Sequence, residues 1–160
     1  MSRNSTISLV FTCSRQRPTH EPDDVEDLGP VNFPEFISIF RSIDWRHEAN
    51  KAEWALKATP TVAVKNQNDG CTLWVSSMIA GSYIDVDAEP DERFKVDKYE
   101  PWYSVGMKDP PEYSNITTLD PNAIGDSFGI TTAALEPVEE CFEWFFEEDY
   151  KSLYQLFRWV

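Results

Sequence analysis

TVAVKNQNDGCTLWVS, residues 61–76, decides the fold class of this chain. Two runs rich in valine, threonine and leucine flank a polar segment that ends in Asp69-Gly70. An Asp-Gly pair is typical of a tight turn, because glycine adopts positive φ without strain. The stretch therefore predicts a β-hairpin. Strand alternation places the following residues on its core side: Val62, Val64, Leu73 and Val75.

The opposite face of the same sheet is expected to be aromatic and acidic. Residues 83–87, YIDVD, alternate again and extend the meander as a further strand. The outward residues that we identify as candidates for partner binding are Trp74, Tyr83, Asp85 and Asp87. Because the spacing of the two aspartates follows from strand alternation alone, a solvated sheet face explains them better than a metal site does.

Further strands are predicted with less regular patterns. Residues 6–12, TISLVFT, predict the first strand, and residues 94–98 and 102–107 are weaker strand candidates. Residues 21–27 contain five acids in seven positions and predict a solvated loop. Residues 108–136 contain prolines and glycines without periodicity and predict loops.

Helical periodicity marks two regions. Asn32 is a candidate N-cap for a helix that begins near residue 33, and a second helix is expected over 44–57. From Glu136-Pro137 the tail is amphipathic, with Val138, Cys141, Phe142, Phe145 and Phe146 expected on the buried face. Since Asp149 would fall within that apolar stripe, we expect a break near 147–149 and a second short helix capped by Asp149.

The fold class that follows is α+β. We predict one domain over 1–160, a mainly antiparallel sheet packed against helices near 33–57 and 137–159. A chain of 160 residues with 41% hydrophobic and 14% aromatic content has enough apolar surface for one core. The N-terminal apolar run 7–13 is too short for a signal peptide or a membrane span, so we expect a cytoplasmic protein.

The charge is strongly one-sided. The chain has 28 Asp and Glu against 14 Lys and Arg, a net charge of −14. An acidic surface repels the phosphates of nucleic acids and membranes and attracts basic proteins. We therefore predict a basic protein partner, with no direct nucleic-acid or membrane binding.

Signatures of catalysis are missing from the sequence. His47-Glu48 begins like the HExxH zinc motif, but Lys51 stands where the second histidine would be. The three cysteines lack metal-binding spacing, and there is no P-loop or GxGxxG segment. We predict neither enzymatic activity nor a metal or cofactor.

The acidic side of the tail helix is the main candidate interface. Glu139, Glu143 and Glu147 repeat at i, i+4, where like charges weaken a helix slightly. Either they form an ordinary solvated face or they bind a basic partner, with a tryptophan as aromatic anchor. The partner-binding residues predicted on this helix are Glu140, Glu143, Trp144 and Glu147.

Three segments together resemble a bacterial immunity protein of the class that neutralises polymorphic toxins. They are the 45–54 helix that begins Trp45-Arg46-His47-Glu48, the 62–75 hairpin, and the acidic Trp/Phe tail over 139–150. The resemblance implies one-to-one binding of a cognate toxin, often a basic nuclease, at its active site or an adjacent exosite.

Two other functions are compatible with the composition. An acidic nucleic-acid mimic could inhibit a restriction or CRISPR nuclease, although its acids should follow phosphate-like spacing on one face, whereas here they lie in separate segments. A hydrolase without a recognised motif is the second alternative.

Overall fold

A computed structural model describes residues 10–18, 24–55, 59–79, 100–109 and 127–158. In these residues, six strands form one open antiparallel sheet and four helices pack on it, which confirms the α+β prediction. The strands are β1 (Phe11–Gln16), β2 (Glu26–Pro30), β3 (Thr61–Asn66), β4 (Thr72–Met78), β5 (Trp102–Lys108) and β6 (Ser127–Thr132). The helices are α1 (Phe33–Ser42), α2 (Trp45–Ala55), α3 (Leu135–Phe146) and α4 (Tyr150–Arg158). The strand order is β2-β1-β3-β4-β5-β6.

The predicted hairpin is confirmed as β3 and β4. Val62 pairs with Val75 and Val64 with Leu73, and all four side chains are fully buried. Gly70 ends the turn at φ +79°, the conformation that favours glycine.

Strand β4 also pairs with β5, which confirms the strand candidate at residues 102–107. Both edges of β4 are therefore occupied, by β3 and β5. The strand predicted over 83–87 and the candidate at 94–98 lie outside the described residues.

Two loop predictions are wrong. Glu26–Pro30, predicted as part of a solvated loop and its end, is the edge strand β2, which pairs with β1 across a bulge at Cys13/Ser14. Charged side chains are common on edge strands, because they discourage the free edge from pairing with another chain. Ser127–Thr132, inside the predicted loop region, is the opposite edge strand β6. In the described residues the first strand covers Phe11–Gln16, which extends past the predicted end at residue 12, and the predicted positions 6–9 lie outside the described residues.

Both N-terminal helix predictions are confirmed. Asn32 forms a capping box: its side chain accepts a hydrogen bond from the Glu35 backbone N–H at 2.8 Å, and the Glu35 carboxylate accepts from the Asn32 N–H at 2.9 Å. Asp44 starts α2 in a similar way by accepting from the His47 N–H at 3.1 Å.

Loss of this cap gives the first testable expectation. Asn32→Ala should lower the free energy of unfolding by about 1 kcal/mol, because the Glu35 N–H loses the side-chain oxygen that accepts from it. Asn32→Asp keeps a capping oxygen and serves as the control. Urea titrations measure both variants, and an Asn32→Ala midpoint equal to that of the unchanged protein would contradict the role of the cap.

The helical tail is interrupted at residues 147–149, as predicted from the position of Asp149. The N–H of Glu148 donates to the Phe145 carbonyl and that of Asp149 to the Trp144 carbonyl, which ends α3 in a Schellman motif. Glu148 takes the left-handed position at φ +57°. Asp149 then caps α4 by accepting from the backbone N–H and the hydroxyl of Ser152.

All four helices lie on one face of the sheet. The core side chains of β3, β4 and β5 form a single buried cluster with those of α1, α2, α3 and α4. The centre of this cluster is aromatic, with Phe36 of α1 stacked on Phe142 of α3 at a ring distance of 4.2 Å. This stack holds α1 and α3 side by side.

A polar cluster fixes the junction of α3 and α4 to the hairpin turn. The amide of Asn66, which is fully buried, donates to Glu148 at 2.8 Å and to the Tyr150 hydroxyl at 2.9 Å. The Tyr150 hydroxyl donates to Asp69 at 2.6 Å. Burial and this carboxylate raise the pKa of Tyr150, so the hydroxyl stays protonated as a donor.

Candidate partner-binding groove

A groove runs along the surface between α1 and α3, and we call it the helix groove. Its two walls are joined below by the Phe36–Phe142 stack. They are joined at one end by Arg41 of α1, whose guanidinium donates to both carboxylate oxygens of Glu139 at 2.8 and 2.9 Å.

The helix groove contains two depressions. The first has a volume of about 360 Å³ and is lined by Phe11, Val31, Asn32, Phe33, Glu143, Phe146 and Glu147. The second has a volume of about 440 Å³ and is lined by Phe33, Pro34, Ile37, Arg41, Glu139, Glu140 and Glu143. Because Phe33 and Glu143 line both, the depressions meet there and form one elongated surface.

The rim of the helix groove is negatively charged. Glu140, Glu143 and Glu147 are exposed, and none of the ion pairs within the described residues uses them. Arg41 is the basic residue among those that line the two depressions, and Glu139 engages it. The hydrogen bonds from Arg41 lower the pKa of Glu139, so this pair stays ionised at neutral pH. The other three carboxylates leave the rim available to an external cation.

Two aromatic residues of α3 differ from their predicted burial, and both pack against the core while staying partly exposed. Trp144, predicted to stand exposed among the acids, is half-buried and packs against the core. Phe146, predicted to be buried, is also half-buried and lines the helix groove beside Glu143 and Glu147. Residues two positions apart on a helix point about 200° apart around its axis. Trp144 and Phe146 therefore lie on opposite sides of the buried stripe. The predictions for Phe142 and Phe145, both fully buried, are confirmed.

On the sheet, the structure places one of the four predicted residues. Trp74 lies on the face away from the helices, and its ring covers Gly106, where a Cβ atom would come within 2.2 Å of the ring. Tyr83, Asp85 and Asp87 lie outside the described residues. The exposed Met78 and Trp102 pair across β4 and β5 on the same face as Trp74, a feature that the sequence analysis missed.

The described residues offer little for metal or thiol chemistry. They contain no group of three or more His, Cys, Asp or Glu side chains placed to hold a metal ion. Within them, no helix has the length and apolar character needed to cross a membrane. Cys13, Cys71 and Cys141 are buried, and burial raises the pKa of each thiol to about 12.

The raised thiol pKa values predict a loss of stability in alkali. Above pH 9.0, the ordinary thiol pKa, the unfolded chain loses protons that the folded chain keeps up to about pH 12. The free energy of unfolding should therefore fall with rising pH, by up to about 1.4 kcal/mol per pH unit for each thiol. Urea titrations between about pH 9 and pH 12 measure the free energy of unfolding at each pH, and this energy should fall less steeply with pH in Cys141→Ala. An unchanged dependence on pH would contradict the raised pKa of the Cys141 thiol.

Comparison of the chain with protein-family models, curated proteins and solved structures finds no match.

Proposed function

We propose that this protein is a non-catalytic binding protein that neutralises a basic toxin by direct contact, in the manner of an immunity protein. The observation that carries the proposal is the helix groove. It is lined by the aromatic rings of Phe11, Phe33 and Phe146 and edged by carboxylates, on a chain with a net charge of −14. The partner that fits is a basic protein with an exposed cationic segment.

The negative charge and the aromatic rings of the groove have different effects on binding kinetics. A negative surface attracts a basic partner over about 8–10 Å, the Debye length at moderate salt, and accelerates association. Apolar contacts in a desolvated groove slow dissociation. A protein that must intercept a toxin before it acts gains from both.

The proposal predicts fast, salt-sensitive association. The measurement is stopped-flow mixing with a candidate basic toxin domain that has been catalytically inactivated. The association rate constant should fall at least about tenfold between 20 mM and 200 mM salt, because surface charge supplies the acceleration. An association rate that does not depend on salt, or the absence of a one-to-one complex, would contradict the proposal.

Charge reversal at the rim tests whether the acceleration of association depends on the carboxylates of the helix groove. Glu143→Lys and Glu147→Lys should each lower the association rate constant by about threefold to tenfold, since each places a cation in the path of a basic partner. Glu136→Lys is the matched control, because Glu136 is exposed on α3 but does not line the helix groove. Equal decreases at all three positions would show that the association rate depends on the net charge and not on the helix groove.

A further inference from the structure

We infer that the first depression of the helix groove is a pocket for an arginine side chain of the basic partner. The inference rests on the proposed function and narrows it from a basic surface to one cationic side chain in one place. It depends on the rings that form the pocket wall, on its two carboxylates, and on an ion pair that the chain already forms in the neighbouring depression.

Three phenylalanine rings form a continuous wall in this pocket. The ring of Phe146 lies 4.7 Å from that of Phe11 and 5.8 Å from that of Phe33, measured between centroids. All three rings are half-buried, so part of each is open to the depression. A guanidinium group stacks on such rings more readily than an ammonium group does, because it is planar and weakly hydrated.

Two carboxylates complete the pocket. Glu143 and Glu147 are one helical turn apart on α3, about 6 Å along the helix, and both are exposed at its edge. A guanidinium has five N–H donors in a planar fork and can reach both carboxylates, whereas an ammonium is a point charge with three donors. The side-chain oxygen of Asn32, also in the lining, already accepts from the Glu35 N–H in the cap of α1.

The second depression shows the same recognition within the chain itself. There the guanidinium of Arg41 binds Glu139 through two hydrogen bonds. Glu143 and Glu147 repeat this carboxylate one and two turns later, and among the described residues no basic side chain lines their depression. The pocket therefore has the carboxylates of a guanidinium site, with aromatic rings added, and charge complementarity identifies an external arginine as the occupant.

The test compares two peptides of equal length and charge, hexa-arginine and hexa-lysine, each carrying the same dye. Fluorescence anisotropy at about 150 mM salt measures their dissociation constants. The pocket predicts that hexa-arginine binds at least about fivefold more tightly, because stacking and bidentate pairing add to the attraction that both peptides share. Equal affinities would overturn the arginine pocket while leaving the attraction to basic partners in place. Failure of both peptides to bind would contradict the proposed function itself.

Two variants then locate the preference. Phe146→Leu keeps an apolar side chain but removes a ring, and Glu147→Gln removes one surface carboxylate without disturbing the core. Each should reduce the preference for hexa-arginine to less than about twofold, because each removes one of the two interactions that distinguish the guanidinium. Trp102→Leu and Glu136→Gln are the matched controls outside the pocket and should keep the full preference. Loss of the preference in the controls, or its survival in both pocket variants, would overturn the assignment.

Discussion

Replacing Phe142 by alanine is expected to lower the free energy of unfolding by about 3–5 kcal/mol. The side chain is fully buried and stacks on Phe36 at 4.2 Å between ring centroids. Its removal leaves a cavity between α1 and α3 that the surrounding rings can fill only in part. Urea or thermal unfolding, followed by circular dichroism, measures the change.

The matched control for this variant is Leu135→Ala on the same helix. Leu135 is 38% exposed, so its truncation should change the free energy of unfolding by less than about 0.5 kcal/mol. A Phe142→Ala protein as stable as Leu135→Ala would contradict the packing of α3 on α1. The position of the helix groove would then also be wrong.

Replacing Asn66 by alanine should have the second-largest effect, about 2–3 kcal/mol. The Asn66 amide donates to Glu148 and to Tyr150, and its oxygen accepts from the Asn68 backbone N–H at 2.9 Å. Truncation removes these bonds from a fully buried side chain and from the buried Tyr150, whereas Glu148 and Asn68 are exposed to solvent; an unmade hydrogen bond at a buried group costs more than a made one contributes. Asn68→Ala, an exposed asparagine in the same turn, should cost less than about 0.5 kcal/mol.

A second substitution at the same position separates charge from hydrogen bonding. Asn66→Asp places a third carboxylate beside Asp69 and Glu148. This variant should be less stable than Asn66→Ala at neutral pH and should recover stability as the pH falls and the introduced carboxylate takes up a proton. An Asn66→Asp protein that is as stable as the unchanged chain at neutral pH would contradict the close approach of Asn66 to Asp69 and Glu148.

Local signals predicted most of the regular structure. The hairpin over 61–76, the Asn32 cap and the break before Asp149 depend on residues within a few positions of one another, where turn and capping chemistry acts. The edge strands β2 and β6 were missed for the same reason. Acids, glycine and proline interrupt any alternation in β2, and β6 is only six residues long within a stretch of sequence that contains prolines and glycines; their pairing with β1 and β5 is a long-range contact that a local pattern does not encode.

The candidate site was only half predictable. The exposed positions of Glu140, Glu143 and Glu147 follow from helical periodicity and are confirmed. The pocket wall joins Phe146 to Phe11 and Phe33, which come from distant parts of the chain and meet only when α1, α3 and β1 pack together. Periodicity also gave no means of deciding which flank of α3 faces another element. For that reason periodicity alone predicts Trp144, and not Phe146, as the aromatic anchor.

The most direct test of partner binding through the helix groove is an NMR titration of the ¹⁵N-labelled protein with hexa-arginine at about 150 mM salt. Chemical-shift changes should be largest in the backbone signals of residues that line the first depression, namely Phe11, Phe33, Glu143, Phe146 and Glu147. Signals of Glu26 and Glu136, exposed acids outside the groove, should change little. Changes of equal size at all exposed acids, or changes centred on Trp74 and Trp102 of the sheet, would contradict the assignment of the groove as the binding surface.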